Sequence, residues 1–166
     1  MRLSSMADYA VVTMIAAASH CGGTPNYALE GRRLTLNAGL LARETGLPTP
    51  TVQKLVSRLV GAGLLHSARG IGGGLRLARP AAAISLADIV EAVEGPIALT
   101  TCSDKSGDDC ALGACCSMRS HWPMVNEALR KALAEVSLSA LAANGRPATP
   151  ALPLSAGGDE MMEAMQ

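Results

Sequence analysis

A mostly α-helical fold carrying one small β-hairpin is what this sequence predicts, on three observations. Hydrophobic residues fill 49% of the 166 positions, yet there is no Phe, one Trp and two Tyr, so the core is aliphatic and suits helices better than stacked strands. Apolar positions recur at helical spacing in five stretches, most of them marked by a capping residue or a closing Gly. Only LLHSA at 64–68 and LRLA at 75–78 read as strands, joined by the tight loop RGIGGG. This length holds one ordinary domain, or a small domain with an oligomerisation element.

The first helix is predicted from Ser5 as cap, with Tyr9, Val12 and Ala16 at helical spacing through the apolar run AVVTMIAAAS. Arg2 ahead of that run faintly resembles a signal peptide, but Asp8 interrupts the charged-to-apolar transition, so an amphipathic helix is the better reading. No apolar run approaches membrane-spanning length. The expected location is cytoplasmic, with no membrane partner, and thiols there stay reduced.

A loop over about 20–35 leads to a helical pattern from Asn37 to Glu44, ended by Gly46. LPTP follows, with Thr49 as cap and Pro50 at the first helical position, where its missing amide hydrogen costs nothing. In TVQKLVSRLVGAG, Val52, Leu55, Val56 and Leu59 form the buried stripe, while Thr51, Gln53, Lys54, Ser57 and Arg58 fall on other faces and Gly63 stops the helix. Two short helices around a Gly turn, the second basic on its exposed face, form a helix-turn-helix signature. An ordinary helical hairpin with a solvated basic face would read the same if nothing followed.

The hairpin follows, and it reads as a wing. Glycines at 72–74 permit positive φ and close backbone approach, and Arg69 stands at the tip, placed for a minor groove. No GK[ST] follows those glycines and no parallel strand-helix unit surrounds them, so a nucleotide-phosphate loop is set aside. Ser85 to Asp88 opens the next helix with a capping-box pattern, Gly95 closes it, and its Ile89, Val90 and Val93 are expected to pack under the wing.

Next comes CSDKSGDDCALGACC, with Cys102, Cys110, Cys115 and Cys116 inside fifteen positions, whereas the lone Cys21 reads as packing. Polar loop backbone cannot bury four thiols. Metal ligation, disulfides and redox-active thiols are the physical options, and a reducing compartment favours metal. Seven residues separate the first pair and five separate Cys110 from Cys116; compact CxxC knuckles are missing, which makes zinc the weaker metal.

Trp122, Val125, Leu129, Leu133 and Val136 then recur at helical spacing, predicting a long helix over 119–143 that starts at or just before Pro123. Its apolar stripe calls for another surface, and self-association supplies one, so it is read as a dimerisation helix. From Asn144 the chain is rich in Pro, Ala and Gly and is expected to lack fixed structure. The domain limits expected are 1–98 for the winged helix-turn-helix, 99–118 for the cysteine loop, 119–143 for the dimerisation helix and 144–166 for the tail.

Charge is balanced overall but not along the chain. Residues 1–80 hold nine Lys or Arg against three Asp or Glu, a net of +6, and 81–166 hold five against eleven, a net of −6. A polyanion partner is expected for the first half alone, and a homodimer would present two recognition helices to palindromic double-stranded DNA. Thr51, Gln53 and Lys54 are placed to reach base edges, while Arg2, Arg58 and Arg69 would meet phosphates or the minor groove.

MRLSSMADYAV, TVQKLVSRLVGAGLL, RGIGGGLRLARP, ISLADIVEAVEGP and the cysteine loop with Trp122 six residues past Cys116 together resemble the iron-sulfur winged-helix regulators typified by IscR, NsrR and RirA. The resemblance spans residues 1 to about 140. ISLADIVEAVEGPIALTTC, the C-x-x-x-x-CC and the Trp are most similar to the subfamily that regulates Suf-type cluster-assembly genes. It implies a transcriptional repressor in which Cys102, Cys110 and Cys116 ligate a 2Fe-2S or 4Fe-4S cluster, thiolates being the soft ligands that iron prefers. IscR-like members carry a histidine three residues past the last cysteine, where this chain has Arg119, which cannot ligate iron. NsrR-like relatives use an aspartate of the first helix supplied by the partner subunit, and the matching position is Asp8, ahead of His121 and Cys115 as fourth ligand. A thiol-only or zinc-containing redox regulator, or one sensing nitric oxide, is the alternative. His20, His66 and His121 form no nucleophile-base motif, so neither an enzyme nor a small-molecule substrate is expected.

Overall fold

The computed structural model describes residues 3–21, 36–70, 73–100, 116–118 and 120–144. Among these run α1 (Ser5–Cys21), α2 (Ala38–Thr45), α3 (Thr49–Gly61), β1 (Leu65–Ala68), β2 (Gly74–Leu77), a 3-10 turn (Ala81–Ala83), α4 (Leu86–Glu94), α5 (Trp122–Ala134) and α6 (Leu138–Asn144). Of the loop expected over about 20–35, His20 and Cys21 instead end α1, and of the tail expected from 144, Asn144 instead ends α6; residues 22–35 and 145–166 lie outside the described residues.

Ser4, not Ser5, caps α1, its hydroxyl accepting from the Ala7 amide at 3.2 Å. The buried line is Ala7, Ala10, Met14 and Ala17 rather than Tyr9, Val12 and Ala16, and Val12 is 38% exposed. α1 is apolar nearly all round, so its period marks a helix without choosing the inward side. Its neighbours choose the alanine line, where small side chains admit α2, α3, α4 and α6. Buried Thr13 keeps its hydroxyl satisfied by donating to the Tyr9 carbonyl at 2.7 Å.

Asn37 caps α2 by accepting from the Leu40 amide at 2.9 Å, and Gly46 ends it at φ 70°. α3 begins one residue earlier than the sequence predicts: Thr49 is already helical, Pro48 holds the cap position and Pro50 lies in the first turn, where amides have no intrahelical partner. Val52, Leu55 and Leu59 are buried and Val56 half-buried, as their spacing predicts.

The wing is a two-stranded antiparallel hairpin in the register Leu65–Leu77, His66–Arg76, Ser67–Leu75 and Ala68–Gly74, each strand one residue off its expected limits. It leans on α1 through β2 and on α3 through β1. The capping box of α4 is complete: the Asp88 amide donates to Ser85 Oγ at 3.1 Å and the Ser85 amide to Asp88 Oδ2 at 2.9 Å. Ala87, Ile89, Val90 and Val93 are buried, and α4 packs against α1 and α3 rather than under the wing. An element that joins three helices belongs at the centre, not beneath an edge hairpin.

The single long helix expected over 119–143 is two helices. At the break, the Leu86 amide donates to the Val136 carbonyl and the Leu138 amide to the Ile84 carbonyl, both at 2.8 Å, forming an antiparallel bridge between Ser85 and Ser137. The bridge satisfies an open amide at the start of α4 and carries Leu138 into full burial. The Ser137 hydroxyl then caps α6 through the Ala140 amide at 3.2 Å, and α6 packs on α1 and the 3-10 turn.

Candidate nucleic-acid interface and cysteine segment

With one side of α3 locked into the core, the other stands free as Pro50, Gln53, Lys54, Ser57, Arg58 and Gly61, an exposed stripe at helical spacing. Gln53 and Lys54 lie nearest its N-terminal end; Thr51 is half-buried at the edge. Arg58 is engaged differently. Its Nη1 donates to the Val93 carbonyl in α4 at 2.5 Å, so this guanidinium is already directed at another element of the fold.

On the hairpin, alternation sets Leu65, Leu75 and Leu77 toward the protein and leaves His66 and Arg76, cross-strand neighbours, exposed. Arg69 is exposed at the tip. The turn beside it needs glycine: a Cβ on Gly73 would lie 2.4 Å from the Ala68 carbonyl oxygen. Ser57, His66 and Arg76 were not among the DNA-contact residues expected. Ser57 falls four positions past Gln53 on the same face, and His66 and Arg76 follow from period-two alternation, so the signals were present in the sequence.

The surface charges around α4 are mostly paired. Arg79 lies 3.5 Å from Asp88, and Arg130 of α5 meets Glu91 of α4 at 3.0 Å. The Glu91 hydrogen bond, then its charge, holds Arg130 above its ordinary pKa. His20 Nε2 lies 2.8 Å from each carboxylate oxygen of Glu44, joining α1 to α2.

Of the expected cluster ligands, Asp8 is exposed in the first turn of α1 and Cys116 is a half-buried free thiol ahead of α5; His121 is exposed at the start of α5. Cys102, Cys110 and Cys115 lie outside the described residues, as do Arg119 and Arg2. Among the described residues, no three of His, Cys, Asp or Glu converge on a metal position. Asp8 and Cys116 sit on separate elements, and the other expected cysteine ligands lie outside the described residues.

Residues 3–144 match the sequence profile of the Rrf2 family, described as iron-dependent transcriptional regulators. The chain belongs to the Rrf2 family. This Rrf2 regulator is 31% identical over 144 residues to the HTH-type transcriptional regulator IscR of Xenorhabdus nematophila, covering 87% of this chain and 80% of that one. Its fold matches CymR (YrzC), the global cysteine regulator of B. subtilis, at a TM-score of 0.62 and 25% identity over 88% of this chain and 99% of that one. It also matches the oxidized form of Staphylococcus aureus CymR, at 0.56 and 26% over 86% and 96%. The kinship with IscR-type regulators read from sequence holds at the level of the Rrf2 family, and the helices with their hairpin match its winged-helix structures. No helix among the described residues is long and apolar enough to cross a membrane.

Proposed function

We propose that this Rrf2 chain is a cytoplasmic, homodimeric, DNA-binding repressor of Suf-type cluster-assembly genes, not an enzyme, whose operator affinity is set by an iron-sulfur cluster. The observation that carries this is the order of its parts: an exposed polar stripe on α3 carrying Gln53 and Lys54 and a glycine-tipped wing, then three spaced cysteines, then α5. Gln53, Lys54 and Thr51 reach base edges, Gln pairing with adenine and Lys with guanine. Arg69 and Arg2 meet phosphates or the minor groove, which adds affinity and carries little sequence information.

Cys102, Cys110 and Cys116 would hold the cluster as thiolates, with Asp8 as fourth ligand. The donor set fits: soft thiolates suit iron, and the Asp8 carboxylate is exposed and so open to ligate it. Bound there, a cluster supplies a cross-link sensitive to iron and oxidation. The chain's own part is to hold α5 and α1 in register with α3, so that the state of the cysteine segment fixes the spacing of the two recognition helices in the dimer.

The thiol-only alternative is favoured by the match to a CymR solved in an oxidized form, and by Cys115 standing next to Cys116 as a spare thiol. One preparation separates the two readings. Anaerobically purified full-length protein is expected to show a visible charge-transfer spectrum with stoichiometric iron and sulfide, and DNA affinity that changes when the cluster is removed. Colourless protein with one zinc per chain, or with reversible disulfides and no metal, would refute the cluster. Identical affinity with and without the cluster would refute the switch.

A further inference from the structure

The last turn of α4 gathers contacts from three other elements. The Val93 carbonyl accepts from Arg58 of α3 at 2.5 Å. Glu91 takes both arms of Arg130 from α5, Nε to Oε1 at 3.0 Å and Nη2 to Oε2 at 3.3 Å. Glu94 Oε1 accepts from the Ser4 amide at the start of α1 at 3.0 Å. Just beyond, the Leu99 amide donates to Asn126 Oδ1 of α5 at 3.0 Å, a second tie between this end of α4 and α5.

We infer that Arg58 is a positioning residue and not a phosphate ligand: it holds the recognition helix to the C-terminal turn of α4, and Glu91–Arg130 couples that turn to α5. This rests on the DNA-binding reading above and deepens it. Electrostatics favours the arrangement. A helix C-terminus carries a partial negative charge, and here Glu91 and Glu94 add to it, so the turn attracts a cation. Arg58 is the guanidinium that α3 offers there, and its planar fork leaves the bond to Val93 geometrically fixed.

α4 can transmit a displacement because it is capped at both ends and buried along one side, so it shifts as a body and does not fray. A change in the tilt of α5 acts on Glu91. Two residues on, Val93 passes it to Arg58 and so to α3. The relay needs no contact between α5 and DNA.

The test uses the full-length protein, a duplex selected by the wild type from a random-sequence pool, and a mixed-sequence duplex as control. Arg58→Met keeps the aliphatic stem and removes the donors; it is expected to weaken binding of the selected duplex about tenfold, the scale of a hydrogen bond to a charged group, with the slope of log affinity against log salt unchanged. Arg130→Met and Glu91→Gln are expected to weaken it about two- to fivefold, the scale of an exposed ion pair. Combined with Arg58→Met, each should be non-additive. A drop of about one in the salt slope on Arg58→Met would make Arg58 a phosphate ligand and overturn the inference. So would strictly additive effects, or no effect from both α5-side variants with their thermal melting preserved. Wild-type protein that selects no duplex sinks the DNA-binding reading itself, a separate failure.

Discussion

At Gly73 the wing turn leaves no room for a side chain, because an added methyl would meet the Ala68 carbonyl and the Arg69 backbone. Gly73→Ala is expected to cost more than about 1 kcal/mol in urea unfolding and to weaken DNA binding by displacing Arg69 at the tip. Gln53→Ala is expected to lose about 1–3 kcal/mol against the selected duplex and to relax base preference at one position, read by comparing single-base variants of that duplex. Both positions were legible, since glycine runs and helical periodicity are local signals. The engagement of Arg58 was not. Its acceptor is a backbone carbonyl 35 positions away, and every carbonyl looks alike in a sequence.

Among the elements, α4 was the most legible, because its start and stop are written in adjacent residues. Ser85→Ala removes one half of the capping box and is expected to cost about 1 kcal/mol, seen as a lower melting temperature with unchanged helical content at low temperature. α1 was legible as a helix but not in phase, since an all-round apolar segment is turned by its neighbours. The division between α5 and α6 was invisible. Helical spacing runs through Val136, and only the bridge to Ile84 and Leu86 breaks it.

On the scale of the whole molecule, the return of α6 to α1 puts Leu138 at full burial, so the chain beyond α5 helps complete the core of the DNA-binding unit. Leu138→Ala is expected to cost about 2–5 kcal/mol in chemical denaturation, a core-sized loss from a position far from that unit in sequence. α5 itself buries no residue within the single chain, and Met124 is 69% exposed. A dimer seated on this helix is expected in sedimentation, and Leu129→Glu should shift it toward monomer. The sequence alone determined the helix-turn-helix, the wing, the α4 caps and the kinship with IscR-type regulators, because each rests on spacing within a few turns of chain. The tertiary structure decided which side of α1 faces inward, where the C-terminal helix breaks and what Arg58 holds. Those depend on contacts between segments distant in sequence, where packing and backbone hydrogen bonds override local periodicity.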